Sequence, residues 1–487
     1  MSLSFTAKQC YVAPANPAGR QLATQLAVAG MQVIGLVDNL KTGDDIQTLP
    51  ASFPSGVIVV VAAGPSQLNV VAGLLARGVP RKIIYLQHDP LNPLSLRPYS
   101  RLRVVLFQSL KWLSKLAIWV SCTLIKKHYV VYYAEDFVDT NVLLQFRFHQ
   151  QHHPTEALLV CRNILRQPQL HTWGRIIEAK SFIQLCWYLG SARVVVIDHE
   201  YADGAFAAFR PYLKLVQLWH GLPYKYISGN SHILTRPDCS FISSSDWYNH
   251  HIFNRLFRAE NYLAYGYARN DVFLPAAEQT DWCNALDEKV LQQVKHDTGP
   301  LWVYMPTYRD NNGSLQLNLQ QINSVCRQYH RSMILKLHPF ISRRLAAQFS
   351  VEENAQTLLR LPGFSHLYLY PSGMNIYPWL AASELLITDY SSVATDYLLH
   401  HGAIVLYQYD RADYKDVRGA FLVDDDYFTA GPVVESCEAL CQLLGQFVQH
   451  GDQWQGVRQQ LKQKLQLSST PAMPKTLRHI RQLAQLQ

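Results

Sequence analysis

Five short apolar runs in this chain each stop at residues able to bond, carry charge or move a proton. Leu215–Trp219 leads into His220-Gly221-Leu222-Pro223, and Leu301–Met305 into Pro306-Thr307-Tyr308-Arg309-Asp310. Met333–Leu337 ends in His338-Pro339, Glu384–Thr388 in Asp389-Tyr390-Ser391-Ser392, and Ala403–Tyr407 in Gln408-Tyr409-Asp410. Short apolar runs bounded in this way read as buried strands of a parallel sheet. Ligands of open parallel sheets collect beyond the carboxyl ends of the strands. Together the five tails predict a polar cleft between two such sheets.

Each tail suggests its own chemistry. His220 can accept a proton from an attacking hydroxyl, and Gly221 beside it lets a ligand approach the backbone closely. The alternative for His220 is a histidine held by hydrogen bonds in a domain interface. Asp389-Tyr390-Ser391-Ser392 precedes a helix-like stretch, Val393–His400. Hydroxyls and free N–H groups at a helix start attract anions, and Asp389 or Ser391 can cap the same helix. Lys336 and His338 are placed to hold a diphosphate, or else form a strand-end pair facing solvent. Pro339 gives that strand a sharp exit.

Other clusters invite a metal reading and lack the spacing for it. His149, His152 and His153 read as a solvated loop before Pro154. Asp424-Asp425-Asp426 cannot all face one ion if extended. Nine cysteines occur without a CxxC pair, which argues against a zinc site or a disulfide framework. Cys437 and Cys441, four apart, fit the core face of a helix. No cofactor follows from the sequence, and a divalent ion is neither implied nor excluded.

The elements that must position these groups belong to a large α/β protein. A chain of 487 residues is too long for one core, so about two or three domains are expected. Hydrophobic residues make up 48% and charged ones 16%, a globular composition. The net charge of +8 suits a phosphate-bearing partner, and without a long basic block it does not argue for nucleic acid. The N-terminus lacks the layout of a signal peptide, and free cysteines suit a reducing cytosol.

Residues 1–95 read as a Rossmann-like accessory module of order β-α-β-β-α-β. Its apolar runs are Cys10–Ala13, Val33–Val37, Val57–Ala62 and Lys82–Leu86. A nucleotide over Pro14–Gly19 with Asp38 on its ribose is the functional option, but no GxGxxG is present. Asp89–Pro98 reads as a linker, so residues 96–128 are expected to join the module to the larger remainder of the chain. Within them Arg101–Lys127 is apolar, carries Trp112 and Trp119, and is basic at both ends. Gln108, Lys111, Lys115 and Cys122 form its more polar stripe. The apolar core Leu116–Ile125 is shorter than the ~20 residues of a bilayer span. An interfacial helix on an anionic membrane and a buried connector both fit.

Five motifs, in order, resemble the CDP-glycerol glycerophosphotransferase family of teichoic acid primases and polymerases. Val216–Lys225 resembles its WHG-x-P-x-K element. Gly266–Asp271 resembles G-x-P-R-N-D, with Ala268 in place of proline. Met305–Asp310 resembles A-P-T-[YW]-R, Leu335–Pro339 resembles K-x-H-P, and Leu386–Tyr397 resembles I-T-D-Y-S-S-x-x-x-D. Gln408–Asp410 and Arg418-Gly419 resemble the stretch after it. The resemblance spans Ala192 to Val434, about half the chain.

The resemblance implies a GT-B fold of two Rossmann-like lobes, residues 129–275 on the acceptor side and 276–487 on the CDP side. It implies transfer of glycerol phosphate or a related polyol phosphate from CDP-glycerol to a polymer or lipid-linked acceptor, with release of CMP. The expected place is peripheral, on the cytoplasmic face of a bacterial membrane. His220 is then the base and His338 its catalytic counterpart across a shared cleft. Arg309, Lys336, Asp389, Ser391, Ser392, Thr307, Gln408 and Arg418 fall to the donor side, and Gly221, Lys225 and Arg269 to the acceptor side. The alternative on the same fold is a glycosyltransferase that uses a nucleotide sugar to build capsule or surface polysaccharide. A membrane-bound binding protein without turnover is the non-enzymatic alternative.

Overall fold

The computed structural model describes residues 9–38, 46–48, 50, 52–63, 67–89, 92, 94–134, 141–161, 173–199, 204–223, 239–275, 282, 284–307, 309, 315–352, 354, 356–411 and 429–486. They fall into two compact units, Met1–Ala117 and Ile118–Gln487.

The first unit is a five-stranded sheet of order β2-β1-β3-β4-β5. Its strands are β1 (Gln9–Ala13), β2 (Gln32–Leu36), β3 (Val57–Val61), β4 (Ile84–Gln87) and β5 (Leu96–Pro98). Every residue of β3, Val-Ile-Val-Val-Val, is buried, as β-branched side chains covered on both faces should be. The expected β-α-β-β-α-β order holds through β4. The linker expected over Asp89–Pro98 instead closes with β5, which pairs antiparallel with β4. Leu96 is buried there, and Pro98 sits on an edge strand that asks less of its missing N–H. The turn after β1 is closed on its own groups. Ala15 N–H donates to Asp38 Oδ2 at 3.0 Å, and Gly19 N–H donates to Asn16 Oδ1 at 2.9 Å. Asp38 therefore holds the turn.

The second unit contains two seven-stranded sheets. The first has order β12-β11-β10-β9-β6-β7-β8 and is parallel throughout. Its strands are β6 (Tyr129–Ala134), β7 (Ala157–Cys161), β8 (Ile176–Glu178), β9 (Ala192–Ile197), β10 (Leu215–Gln217), β11 (Ser240–Ile242) and β12 (Asn261–Leu263). The second has order β15-β16-β14-β13-β17-β18-β19. It contains β13 (Leu301–Tyr304), β14 (Ser332–Leu335), β15 (Leu359–Arg360), β16 (Leu367–Leu369), β17 (Ser383–Thr388), β18 (Ala403–Tyr407) and β19 (Val433–Val434). Only the β15–β16 pair in it is antiparallel. The chain reverses its direction of growth between β6 and β9 in one sheet and between β13 and β17 in the other. Such switch points open a crevice at the carboxyl edge.

The histidines expected in a loop before Pro154 lie in the helix Asn141–His152 or just after it. His149 is fully buried. Its ring bonds to Tyr132 Oη at 3.0 Å and to Glu156 Oε2 at 3.3 Å, which holds it in the core. Burial lowers its pKa to about 4. Cys437 and Cys441 lie on the helix Cys437–His450 and pack against the core, as their spacing suggested.

The boundary drawn at residue 276 is crossed again at the end of the chain. The helix Ala472–Leu483 leaves the second lobe and packs Met473, Leu477 and Ile480 into the core of the first. Asp271 fixes its start by accepting from Ala472 N–H at 2.7 Å and Met473 N–H at 3.0 Å.

The helix Arg101–Leu124 runs across the boundary between the units. Ile118 and Cys122 are buried in the second unit's core, so Cys122 does not belong to the polar stripe. The side chain of Gln108 lies outside the described residues. Leu110, Trp112, Leu113, Leu116, Trp119 and Leu124 are exposed. Among the described residues, no helix is long and apolar enough to cross a membrane.

Asp271→Ala removes the acceptor of two helix-start N–H groups. The expected loss is about 1–2 kcal/mol, with earlier proteolysis of the terminal helix. Denaturant titration and limited digestion check this, and an unchanged digestion pattern would contradict it.

Candidate active site

The first crevice is built from three strand ends. Trp219, two residues beyond β10, adopts φ 52°, a left-handed conformation that a bulky residue rarely takes. Neighbouring amides compensate for it. Trp219 N–H donates to Gln217 Oε1 at 3.0 Å, and Asn141 Nδ2 donates to the Trp219 carbonyl at 2.8 Å. This turn swings His220 back over the end of β9. His220 Nδ1 lies 2.8 Å from the Asp198 carbonyl, which can only accept. Nδ1 therefore carries the hydrogen, and the lone pair is on Nε2.

The His220 ring stacks on His199 with centroids 4.5 Å apart and planes 10° apart. His199 Nδ1 is 2.7 Å from Asp198 Oδ1, while Asp198 Oδ2 accepts from Val142 N–H at 3.1 Å. Burial, and next the charge of His199, lower the pKa of His220 to about 4, so it is neutral at pH 7.

The second crevice forms where β13 and β17 separate. Asp389, just beyond β17, is buried and accepts from Thr307 N–H at 2.9 Å, Thr307 Oγ1 at 2.7 Å and Tyr390 N–H at 2.6 Å. Arg309 Nη2 lies 2.9 Å from Asp389 Oδ2. Arg309 also pairs with Asp410 through Nε at 2.7 Å and Nη2 at 3.2 Å, and Nη1 donates to the Thr307 carbonyl at 2.8 Å.

Several expectations change here. Asp389 does not cap the helix after it, because its oxygens are committed to the β13 loop. That helix is short, Val393–Tyr397, and its first N–H lies 3.4 Å from Ser391 Oγ. Arg309 lies between two carboxylates that already balance its charge, so it clamps the strand ends. Lys336 turns inward, with Nζ donating to the carbonyls of Met374 at 2.7 Å, Pro371 at 3.2 Å and Ser372 at 3.3 Å. Three donors directed at a loop leave it no hydrogen for a diphosphate. Gln408 is buried at the end of β18, where its N–H donates to the Val434 carbonyl.

His338 is exposed and, with Thr307, Arg309, Tyr304 and Tyr409, lines a small pocket open to solvent. It is the cap residue of the helix Pro339–Gln348, and its Nδ1 accepts from Phe340 N–H at 3.3 Å. Partial burial, and then Arg343, lower its pKa, so it too is neutral at pH 7. A neutral imidazole accepting at Nδ1 carries its hydrogen on Nε2. His220 and His338 are thus held in opposite tautomers, one presenting a lone pair and the other an N–H.

The two crevices are joined through residues 389–392 and one carboxylate. Gly221 has φ 140°, and a Cβ there would lie 2.6 Å from Ser392 Oγ. Arg269 Nη2 donates to the His220 carbonyl at 3.0 Å and to Asp396 Oδ2 at 2.6 Å. Asp396 also accepts from Asn270 Nδ2 at 2.9 Å and Tyr377 Oη at 2.8 Å. His220 does not line the pocket that His338 lines. The loop carrying Ser391 and Ser392 meets the His220-Gly221 turn at Ser392.

Lys225, Arg418 and Asp424–Asp426 lie outside the described residues. Reading the sequence missed Asn141, Asp198, His199 and Tyr377, and it assigned no role to Asn270 and Asp396, which lie inside two of the family motifs. Asp198-His199 follows the apolar run Ala192–Ile197 in the same pattern as the five tails, so the signal for that pair was present. Among the described residues, no group of three or more His, Cys, Asp or Glu could hold a metal.

Asp396→Ala strands three buried donors, one of them charged, and is expected to cost about 3–5 kcal/mol in denaturant titration. Gly221→Ala, which forces a Cβ against Ser392 at a left-handed φ, is expected to cost about 1–3 kcal/mol. Wild-type midpoints in both variants would refute the reading of this joint.

Comparison with known proteins follows the same outline. This chain is 23% identical over 283 residues to the teichoic acid ribitol-phosphate polymerase TarK of Staphylococcus aureus (strain NCTC 8325 / PS 47), covering 54% of this chain and 51% of that protein. It is 24% identical to the teichoic acid poly(glycerol phosphate) polymerase of Bacillus spizizenii (strain ATCC 23059 / NRRL B-14472 / W23), covering 47% of this chain and 60% of that protein. The chain thus spans a little over half the length of these relatives. The solved structure of the wall teichoic acid polymerase TagF overlays 79% of this chain and 97% of its own with a TM-score of 0.61. At 18% identity that likeness shows the fold, two α/β lobes of GT-B type with an additional N-terminal module. Residues 116–468, well over half of the chain, match the model of one family. The chain belongs to the CDP-glycerol:poly(glycerophosphate) glycerophosphotransferases.

Proposed function

We propose that this chain transfers glycerol phosphate, or a related polyol phosphate, from CDP-glycerol to a hydroxyl of a surface polymer or its lipid-linked precursor, releasing CMP. The observation that carries the reading is the contact of the His220-Gly221 turn of one lobe with Ser392 of the other. It sets a proton acceptor beside a hydroxyl-bearing loop at the edges of two parallel sheets. The family match supports the donor class, and a variant of TagF has been soaked with CDPG.

The acceptor oxygen attacks the β-phosphorus, and its proton passes to His220 Nε2. The bond from that phosphorus to the bridging oxygen breaks, and the electron pair leaves with CMP. His338 donates its Nε2–H to a diphosphate oxygen as charge builds there. Ser391 and Ser392 orient the same group. Arg309 keeps Asp389 and Asp410 from repelling the donor. Positioning and electrostatics supply most of the acceleration in such transfers.

Membrane attachment belongs to the same proposal. The exposed tryptophans and leucines of the helix Arg101–Leu124 suit the headgroup region of an anionic bilayer, on its cytoplasmic face. Beside it, the helix Phe182–Gly190 brings Gly190 against Ser121 and exposes Ile183 and Trp187. Lys111, Lys115 and Lys126 are exposed, whereas Lys127 donates to the Gly190 carbonyl at 2.6 Å and serves the fold.

Incubation with CDP-glycerol, CDP-ribitol and a panel of UDP-sugars, with a lipid-linked acceptor, should release CMP from a CDP-polyol only. UDP release without CMP would sink the proposal. His220→Ala and His338→Ala should each lower turnover on the order of 100-fold or more while leaving the fold intact. The folded pKa of His220 lies below 6.5, so its base form persists below that pH. The acid limb of kcat/KM should accordingly fall below pH 6.5. The same shift removes stability as pH drops from 6.5 toward 4, because the unfolded chain takes up that proton first. Replacing Lys111, Lys115 and Lys126 by Gln should weaken sedimentation with phosphatidylglycerol vesicles roughly 100-fold, at about 1 kcal/mol per lysine. Unchanged sedimentation would favour a helix that only connects.

A further inference from the structure

The transfer chemistry uses His220 and leaves the ring stacked on it without a task. We propose that His199 is a positioning residue for His220: the two stacked imidazoles hold one proton between them, and His199, anchored to the Asp198 carboxylate, is the ring that takes it. This rests on the reading of His220 as the base.

The geometry separates the two rings sharply. His199 Nδ1 is 2.7 Å from a carboxylate oxygen that is itself wholly buried, and its side chain is 47% exposed. A proton on this ring is paired with that carboxylate. His220 Nδ1 meets only the carbonyl of Asp198, and its ring lies between His199 and Trp219, whose centroid is 4.2 Å away. Among the described residues, no carboxylate oxygen is in contact with the His220 ring, and the Asp198 carboxylate acts on it only through space.

The other charge facing His220 is Arg269, whose Nη2 sits on the His220 carbonyl and is paired with Asp396. It opposes a second positive charge at this point. Two parallel rings 4.5 Å apart cannot both be cationic without strong mutual repulsion. A charge on His199 therefore keeps His220 neutral, with its Nε2 lone pair available. The stack and the shared Asp198 also fix the plane in which that lone pair points. The His199 carbonyl accepts from Gln217 Nε2 at 3.1 Å, and Gln217 also receives the N–H of Trp219, so the pair is tied to the strained turn that delivers His220.

The test measures His220 directly. In the full chain with 13C-labelled histidine, the imidazole signal of His220 is assigned by its loss in His220→Gln and titrated by NMR. The titration is repeated in two variants. His199→Asn keeps a donor for Asp198 and cannot take a proton, and His199→Phe keeps a flat ring without either property. In both, the His220 midpoint is expected to rise by about one pH unit or more, about tenfold in proton affinity, and the acid limb of kcat/KM should move with it. An unmoved midpoint in both variants overturns the proposal. A shift in the Phe variant alone also overturns it, because the cause would then be the orphaned Asp198. Retained turnover in His220→Gln would instead refute His220 as the base, and the NMR midpoints would still decide the coupling of the two rings.

Discussion

The buried carboxylate of Asp396 is the constraint on which the rest of the active region depends. It comes from the second lobe and receives Arg269 and Asn270 of the first, with Tyr377 completing the set. A buried charge is tolerated only when paired and hydrogen-bonded, and here the partners come from both lobes. The same guanidinium that pairs with Asp396 also holds the His220 carbonyl. The position of the proposed base is thereby referred to the opposite lobe, and Gly221 meets Ser392 without room for a methyl group.

Around that joint, the two sheets do matching work. Each reverses its strand order once, and each reversal holds a buried carboxylate just beyond a central strand, Asp198 after β9 and Asp389 after β17. Asp198 organises the end of one crevice through Val142 and His199, and Asp389 the other through Thr307 and Arg309. His220 and His338 then differ in what their Nδ1 meets. A carbonyl at His220 and an N–H at His338 set opposite tautomers on chemically identical rings. The histidines gain distinct roles from backbone groups a few residues away.

The turn after β1, where a nucleotide was one option, is closed by Asp38 and Asn16 on its own N–H groups. Among the described side chains, the helix Arg101–Leu124 buries Ile118, Ser121 and Cys122 and leaves two tryptophans exposed. Its composition made an interfacial helix and a buried connector equally reasonable.

The succession of elements in the first module through β4, the parallel sheets and the polar tails at their carboxyl ends were legible in the sequence, because apolar runs and their punctuation are local properties. The family motifs were legible for the same reason, since each is a short segment at one strand end. What the sequence could not supply was the direction of polar side chains. Lys336 reads as a phosphate ligand until three carbonyls of a loop more than thirty residues away surround it. Arg309 reads as a free cation until Asp389 and Asp410 neutralise it. His149 reads as a loop residue until Tyr132 and Glu156 enclose it. The partners of a charged group in an α/β fold come from strands that are neighbours in space and distant in the chain. Only the tertiary structure decides which cations face a ligand and which hold the sheet ends together.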